Sequence, residues 1–307
     1  MSLAVCMIVK DETQRIVPCL EPLMSIADEV IVVDTGSSDG TPELLRERFG
    51  IRVLHDTLDA SRCHEQAAPR NRAIERARAD WILSIDADER VDPAGLRSLR
   101  DGTHDPRVAG YFGRWINHVP GGPALEDYKL FVFRREFRQR GLIHENAQVD
   151  LRERGARAVW HDALEVHHHP EERKDAIKTA WYRQRLECAI GCEPHWLRYH
   201  WFLGYMDFLA RRDDDARRHL HAVTDALPPL FPVECLNSFM VSIELAASAN
   251  DVAGALARCD AALAYHDAVR DDFEVRVNFR LRPWFEQARA HLAGGRADAV
   301  RAYRFGR

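Results

Sequence analysis

Two runs of apolar β-formers, each ending in a cluster of acids, constrain this chain more than any other feature. Val30-Ile31-Val32-Val33 leads into Asp34-Thr35-Gly36-Ser37-Ser38-Asp39-Gly40-Thr41, and Trp81-Ile82-Leu83-Ser84-Ile85 leads into Asp86-Ala87-Asp88-Glu89. An unbroken apolar run of this length is the signature of a strand buried on both faces, as in a parallel sheet covered by helices. Ligands of such sheets bind beyond the carboxyl ends of the strands. Carboxylates at two such ends repel a bare phosphate unless a cation lies between, so the pattern points to a metal-bridged diphosphate.

The rest of the first half supports that sheet. Residues 3–9 read as a first strand rather than a signal peptide, because no basic leader precedes them. A helix capped by Asp11 or Thr13 is expected to run to about Ala27, with Ile16, Leu20 and Leu23 on one face. Strands are expected at 29–33, 51–54 and 81–85, with helices around Leu44, Leu45 and Phe49 and from Pro69 to Ala79. This alternation predicts a doubly wound, mostly parallel α/β sheet. Ala109–Ile116 and Tyr128–Arg134 read as later strands of mixed polarity, separated by a loop containing Pro120-Gly121-Gly122-Pro123.

Beyond Pro170 the pattern turns helical, which sets two domains, 1–170 and 171–307. Gly204, Ala216, Leu220 and Pro228 fall at the offsets of a tetratricopeptide repeat, so the tail is expected to be an array of helical hairpins. Bracing the first domain, forming a homodimer and holding an acceptor are all compatible with such an array. Trp196, Tyr199, Trp201, Phe202 and Tyr205 read as its core.

Bulk properties exclude several classes. A net charge of -5 gives no long-range attraction for nucleic acid or an anionic membrane. No apolar stretch approaches the roughly 18 residues of a spanning helix. Seven scattered cysteines argue against a disulfide framework and for a cytoplasmic protein; a peripheral position on the inner membrane face is compatible with this. Cys188 and Cys192, with His195 nearby, lack the fourth ligand that structural zinc requires, and read as helix packing.

The acids themselves carry the chemistry. Asp34 can accept hydrogen bonds from a nucleobase imide or a ribose, while Gly36 lets the backbone approach a ligand and Asp39 caps the next helix or touches the base. In an extended segment Asp86 and Asp88 would point the same way with Ala87 turned inward. Such oxygens suit a hard divalent cation that keeps positions open for substrate phosphates.

In series, Cys6-Met7-Ile8-Val9-Lys10-Asp11-Glu12, the Asp34-to-Thr41 turn, Arg70-Asn71 and Asp86-Ala87-Asp88-Glu89 resemble the family 2 glycosyltransferases. The closest subgroup is the bacterial one with a helical, tetratricopeptide-like tail, which includes enzymes that glycosylate peptide cysteines. The resemblance covers residues 1–170. It implies a GT-A fold and an inverting, metal-dependent transferase that uses a nucleotide-diphosphate sugar, in the first instance a UDP-sugar. It further implies that Val9, Asp34, Gly36, Asp39, Arg70, Asp86 and Ala87 bind the nucleotide sugar, and that Asp88 holds Mn²⁺ or Mg²⁺. Phe131-Val132-Phe133-Arg134-Arg135 and Gly141-Leu142-Ile143-His144-Glu145 resemble later elements of the subgroup. There His144 is the candidate second metal ligand, and an imidazole would favour Mn²⁺. Glu145 or Asp127 is the candidate base, and one residue of His167-His168-His169 matches a histidine near the diphosphate. The approach to Arg70 departs from the pattern, with Ser61-Arg62-Cys63-His64 where an aromatic and acidic run is usual. The acceptor stays open between glycan, peptide and small molecule. Two alternatives stand beside this reading. One is a non-catalytic helical scaffold with a relic nucleotide-binding domain. The other is a nucleotidyltransferase, which would carry a Gly-rich basic loop where Lys10-Asp11-Glu12 stands.

Overall fold

The computed structural model describes residues 1–118, 122–170 and 176–304, with backbone only for Ala60 and residues 176–178. The chain divides into two compact units, the first ending at Asp175 and the second starting at Ala176.

The first unit is built on an eight-stranded mixed sheet in the order β3-β2-β1-β4-β7-β6-β8-β5. Strand β1 (Leu3–Val9) is buried along its whole length because β2 (Glu29–Asp34) and β4 (Trp81–Ser84) flank it in parallel. Strand β3 (Leu54–His55) extends this parallel half. The other half is formed by β5 (Glu89–Val91), β6 (Val108–Asn117), β7 (Leu125–Arg134) and β8 (Arg157–His168). It joins the first through the antiparallel pair of β4 and β7. Helices α1 (Ile16–Leu20), α2 (Thr41–Phe49), α3 (Ala67–Arg76), α4 (Pro93–Asp101) and α5 (Gln148–Glu153) complete the unit. This is the mixed α/β sheet anticipated for a GT-A fold.

Several boundaries differ from expectation. The long helix expected up to Ala27 is the five-residue α1 followed by turns. Pro22 supplies no N–H to continue the ladder, and Leu23 and Ile26 instead bond to Leu20 and Leu23 at i−3 spacing. The strand expected at 51–54 is only Leu54–His55. Strands β5 and β8 were not anticipated, and they matter most for the site. Antiparallel pairing sets Glu89 opposite His168 and Arg90 opposite His167. Of the expected loop at 120–123, Pro120 and Gly121 lie outside the described residues.

The second unit consists of α6 (Ala176–Cys192), α7 (Arg198–Leu209), α8 (Asp213–Ala226), α9 (Pro232–Ser248), α10 (Val252–Val269), α11 (Phe273–Val277) and α12 (Leu281–Ala293). Helix α9 is buried almost all round, packed by α7, α8, α10, α11 and α12. Gly204 lets α7 approach α8 closely: a Cβ there would stand 2.9 Å from Leu220 Cγ. The aromatic residues Trp196, Tyr199, Trp201 and Tyr205 are core residues. Asp207 is wholly buried and is matched by Arg183 at 2.6 Å and Arg212 at 2.7 Å.

Strand β8 is held in place by α4. Asp92 caps that helix through the Gly95 amide at 2.6 Å, and a Cβ on Gly95 would meet the Ala163 carbonyl oxygen of β8 at 1.6 Å. Gly95→Ala is therefore expected to force α4 off β8 and to destabilise the first unit by about 1–3 kcal/mol or more. A thermal melt of the full chain measures this, and an unchanged midpoint would contradict the packing.

Candidate active site

The loops after β1 and β2 are laced together by side chains. Asp11 Oδ1 accepts from the Ser38 amide at 2.7 Å, and Thr41 Oγ1 accepts from the Glu12 amide at 2.8 Å. Asp39 takes the Thr13 amide and hydroxyl on one oxygen and the Thr41 amide and hydroxyl on the other. Slight burial works against its charge, but these donors hold the Asp39 carboxyl down at about 2. Asp39 is thus a tie between loops. Asp34 is 4% exposed and accepts from the Gly36 amide at 3.1 Å and the Ser37 amide at 3.2 Å. Gly36, at φ 103°, supplies the left-handed turn that aims its amide back. Thr35 donates both its amide and its hydroxyl to the Val9 carbonyl, at 2.9 and 3.1 Å.

The second acidic cluster is a turn rather than an extended segment, closed by the Glu89 amide on the Asp86 carbonyl at 3.0 Å. Its carboxylates go to different partners. Asp86 Oδ1 lies 2.6 Å from Arg70, and Asp86 Oδ2 lies 4.0 Å from Lys129. Burial pushes the Asp86 carboxyl up, but Arg70, and after it Lys129, outweigh this and hold it at about 2. Arg70 donates its Nε to Glu145 at 2.6 Å, so one guanidinium spans two carboxylates. Burial disfavours its charge, and Asp86 and Glu145 together more than restore it, raising its pKa. Asn71 pairs reciprocally with the main chain of Gln139 at 2.8 and 3.0 Å, fixing the segment that leads to Glu145. Glu89 is 1% exposed and accepts from the Asp86 amide, Trp115 Nε1 and Lys129 Nζ.

Asp88 meets His168. The pairing of β5 with β8 brings His168 Nε2 to 3.3 Å from Asp88 Oδ2, while His168 Nδ1 bonds to Asn117 Oδ1 at 2.8 Å. Asn117 and Asp88 thus hold the ring from its two nitrogens. A ligating histidine is ordinarily held in this way by its second nitrogen. Trp115 stacks on the His168 ring at 4.9 Å.

Part of this set lines one cavity of ≈ 380 Å³. Val9, Lys10, Glu12 and Thr35 border it at the ends of β1 and β2, Asp86, Ala87 and Asp88 at the end of β4, and Trp115, Lys129 and His168 beyond. Of the expected site residues, Val9, Arg70, Asp86, Ala87 and Asp88 stand on its wall. Asp34, Gly36 and Asp39 shape the loops behind Thr35. Asp127 lies on β7 opposite Trp115, and Glu145 is 6% exposed behind Arg70. His144 is not among the lining residues, and the histidine that is, His168, comes from the triple-histidine run. Sequence reasoning assigned no role to Trp115 or Lys129, which carry no motif of their own, and none to Glu12 beyond its place at the end of the first motif.

Burial pushes the Glu12 carboxyl up to about 7 against the pull of Arg15 at 2.6 Å, and Asp88 and Asp86 push the same way. A folded pKa above the ordinary 4.5 means that the native state binds more protons between pH 4.5 and 7. Stability contributed by this group therefore falls as pH rises through that window. Glu12→Gln should remove the fall, and chemical denaturation at pH 5 and pH 8 measures it; an unchanged difference between the two would contradict the assignment.

A family model described as Glycosyl transferase family 2 matches residues 4–165. A TPR repeat-containing protein of Synechococcus elongatus is 38% identical over 109 residues, which are 35% of this chain and 26% of that protein. The SPbeta prophage-derived glycosyltransferase SunS of Bacillus subtilis is 23% identical over 232 residues, 69% of this chain and 51% of SunS. The chain therefore spans about a quarter and about half of the lengths of these relatives. Among solved structures, S. aureus TarS 1-349 in complex with UDP-GlcNAc aligns with a TM-score of 0.45 at 14% identity, over 97% of this chain and 90% of that one.

Proposed function

The chain belongs to glycosyl transferase family 2, and from that premise we propose an inverting, metal-dependent transfer of sugar from a UDP-sugar to an acceptor. The observation that carries the reading is the convergence of Asp86 with Arg70, and of Asp88 with His168, on one cavity at the ends of parallel strands. The preference for uridine rests on the family likeness, in which Asp34 serves the base.

The base lies over the ends of β1 and β2, and the diphosphate over the acidic turn. Asp88 and His168 are the residues that would hold Mn²⁺ or Mg²⁺, an oxygen and a nitrogen donor suited to either ion, with imidazole favouring Mn²⁺. When bound, such an ion supplies positive charge to a leaving diphosphate. Arg70 keeps Asp86 ionised and fixes its position beneath the donor.

Asp127 suits the base better than Glu145. Glu145 is buried and committed to Arg70 at 2.6 Å. Asp127 is exposed, sits two residues from Lys129 on the same face of β7, and stands opposite Trp115 across the ladder. The pairing with Trp115, a residue of the cavity wall, supports its assignment to the acceptor side. The Gly204–Leu220 contact supports a tetratricopeptide-like reading of the helical unit.

A screen of UDP- and GDP-sugars for Mn²⁺-dependent hydrolysis tests the reading. Asp88→Ala and His168→Ala should each abolish the metal-dependent release of nucleotide, and wild-type turnover in either would remove the site from the reaction. Asp127→Asn should slow release by about 10²–10⁴-fold with nucleotide binding unchanged; full activity there would return the base role to Glu145.

A further inference from the structure

We propose that Lys129 is a donor-contacting cation of this site, that it meets the terminal phosphate of the nucleoside diphosphate, and that Glu89 is the residue that positions it. The inference rests on the donor reading above and extends it to two residues with no assigned role.

Sheet order supplies the placement. β4 lies between β1 and β7, and neighbouring strands are about 4.8 Å apart. A donor whose base covers the ends of β2 and β1 and whose phosphates cross the acidic turn after β4 therefore meets β7 next. Lys129 is on that strand and lines the cavity there. Its Nζ is 2.8 Å from Glu89 Oε1 and 4.0 Å from Asp86 Oδ2, and it lies 5.2 Å over the Phe131 ring. Arg70, the other cation beside Asp86, is spent on two carboxylates and is only 10% exposed. Lys129 is 43% exposed, and its ammonium has three hydrogens.

A cation at this place would serve the chemistry of the transfer alongside the ion. The acceptor oxygen or sulfur forms a bond to the anomeric carbon and gives its proton to Asp127. The bond from that carbon to the terminal phosphate oxygen breaks, and its electron pair stays on the phosphate, which gains one negative charge. Lys129 stands two residues from Asp127 on one strand face and beside the acidic turn, between base and leaving group. A preorganised cation there stabilises charge as it develops.

Glu89 explains why the lysine is aimed. Its carboxylate is almost completely buried yet takes the Asp86 amide at 2.9 Å, Trp115 Nε1 at 3.1 Å and Lys129. A buried ion pair contributes little net stability compared with an apolar pair of the same volume. Here it orients the ammonium, the indole that stacks on His168, and the main chain of the acidic turn together.

The test is calorimetric titration of uridine, UMP and UDP into the full chain with Mn²⁺ present. Lys129→Met should weaken UDP about ten-fold or more, the scale of one charged hydrogen bond, while uridine and UMP bind as in wild type and report an intact fold. Lys129→Arg should recover most of the loss. Glu89→Gln should lose the same preference for UDP over UMP, and the double variant should lose no more than Lys129→Met alone. Unchanged UDP affinity in Lys129→Met and in a second variant, Lys129→Gln, overturns the contact, as does an equal loss for UMP. Wild-type UDP affinity in Glu89→Gln overturns the positioning role. Absence of UDP binding by the wild-type chain would instead defeat the donor reading.

Discussion

Carboxylates gathered in one crevice repel one another, and the first unit is organised around answering that repulsion. Glu12, Asp86, Asp88, Glu89 and Glu145 border the cavity or stand just behind it. Four of them are given a cation by the fold, Arg15 for Glu12, Arg70 for Asp86 and Glu145, and Lys129 for Glu89. Asp88 is met by a neutral-capable imidazole instead. Compensation of this kind offsets part of the cost of gathering the acids and fixes where each can point. It also divides labour within the acidic turn, since Asp86 is committed to protein cations and Asp88 to the His168 imidazole.

The same device recurs in the helical unit without an obvious ligand. Asp207 is sealed between Arg183 and Arg212, and Glu244 on α9 takes Arg304 and the Ala302 amide, which pins the segment after α12. Apolar packing around α9 supplies the bulk of that core, and the ion pairs set which surfaces meet. The two units thus combine a common charge logic with different tasks, one gathering acids at strand ends and the other tying helices.

The parallel half of the sheet was legible because it is dominated by one signal. Strands buried on both faces cannot vary in polarity, so β1 and β4 announce themselves. β8 hides because its faces differ and its register with β6 is irregular, so neither a run nor a clean alternation marks it. The acidic turn hides for another reason. Asp86 and Asp88 converge on one cavity whether the segment is extended or turned, so spacing alone could not tell the two apart.

What the residues determine by themselves is the identity of the chemistry-bearing groups, because apolar strands and acidic termini are local properties of the chain. Which histidine meets Asp88 and which carboxylate is already engaged were decided only in three dimensions. His168 and Asp88 are eighty residues apart and meet through a ladder between strands that carry weak local signals. Glu145 reads as a free acid along the chain, but Arg70, on a helix seventy-five residues earlier, occupies it. Long-range pairing is a property of the folded surfaces, and no window of sequence contains both partners.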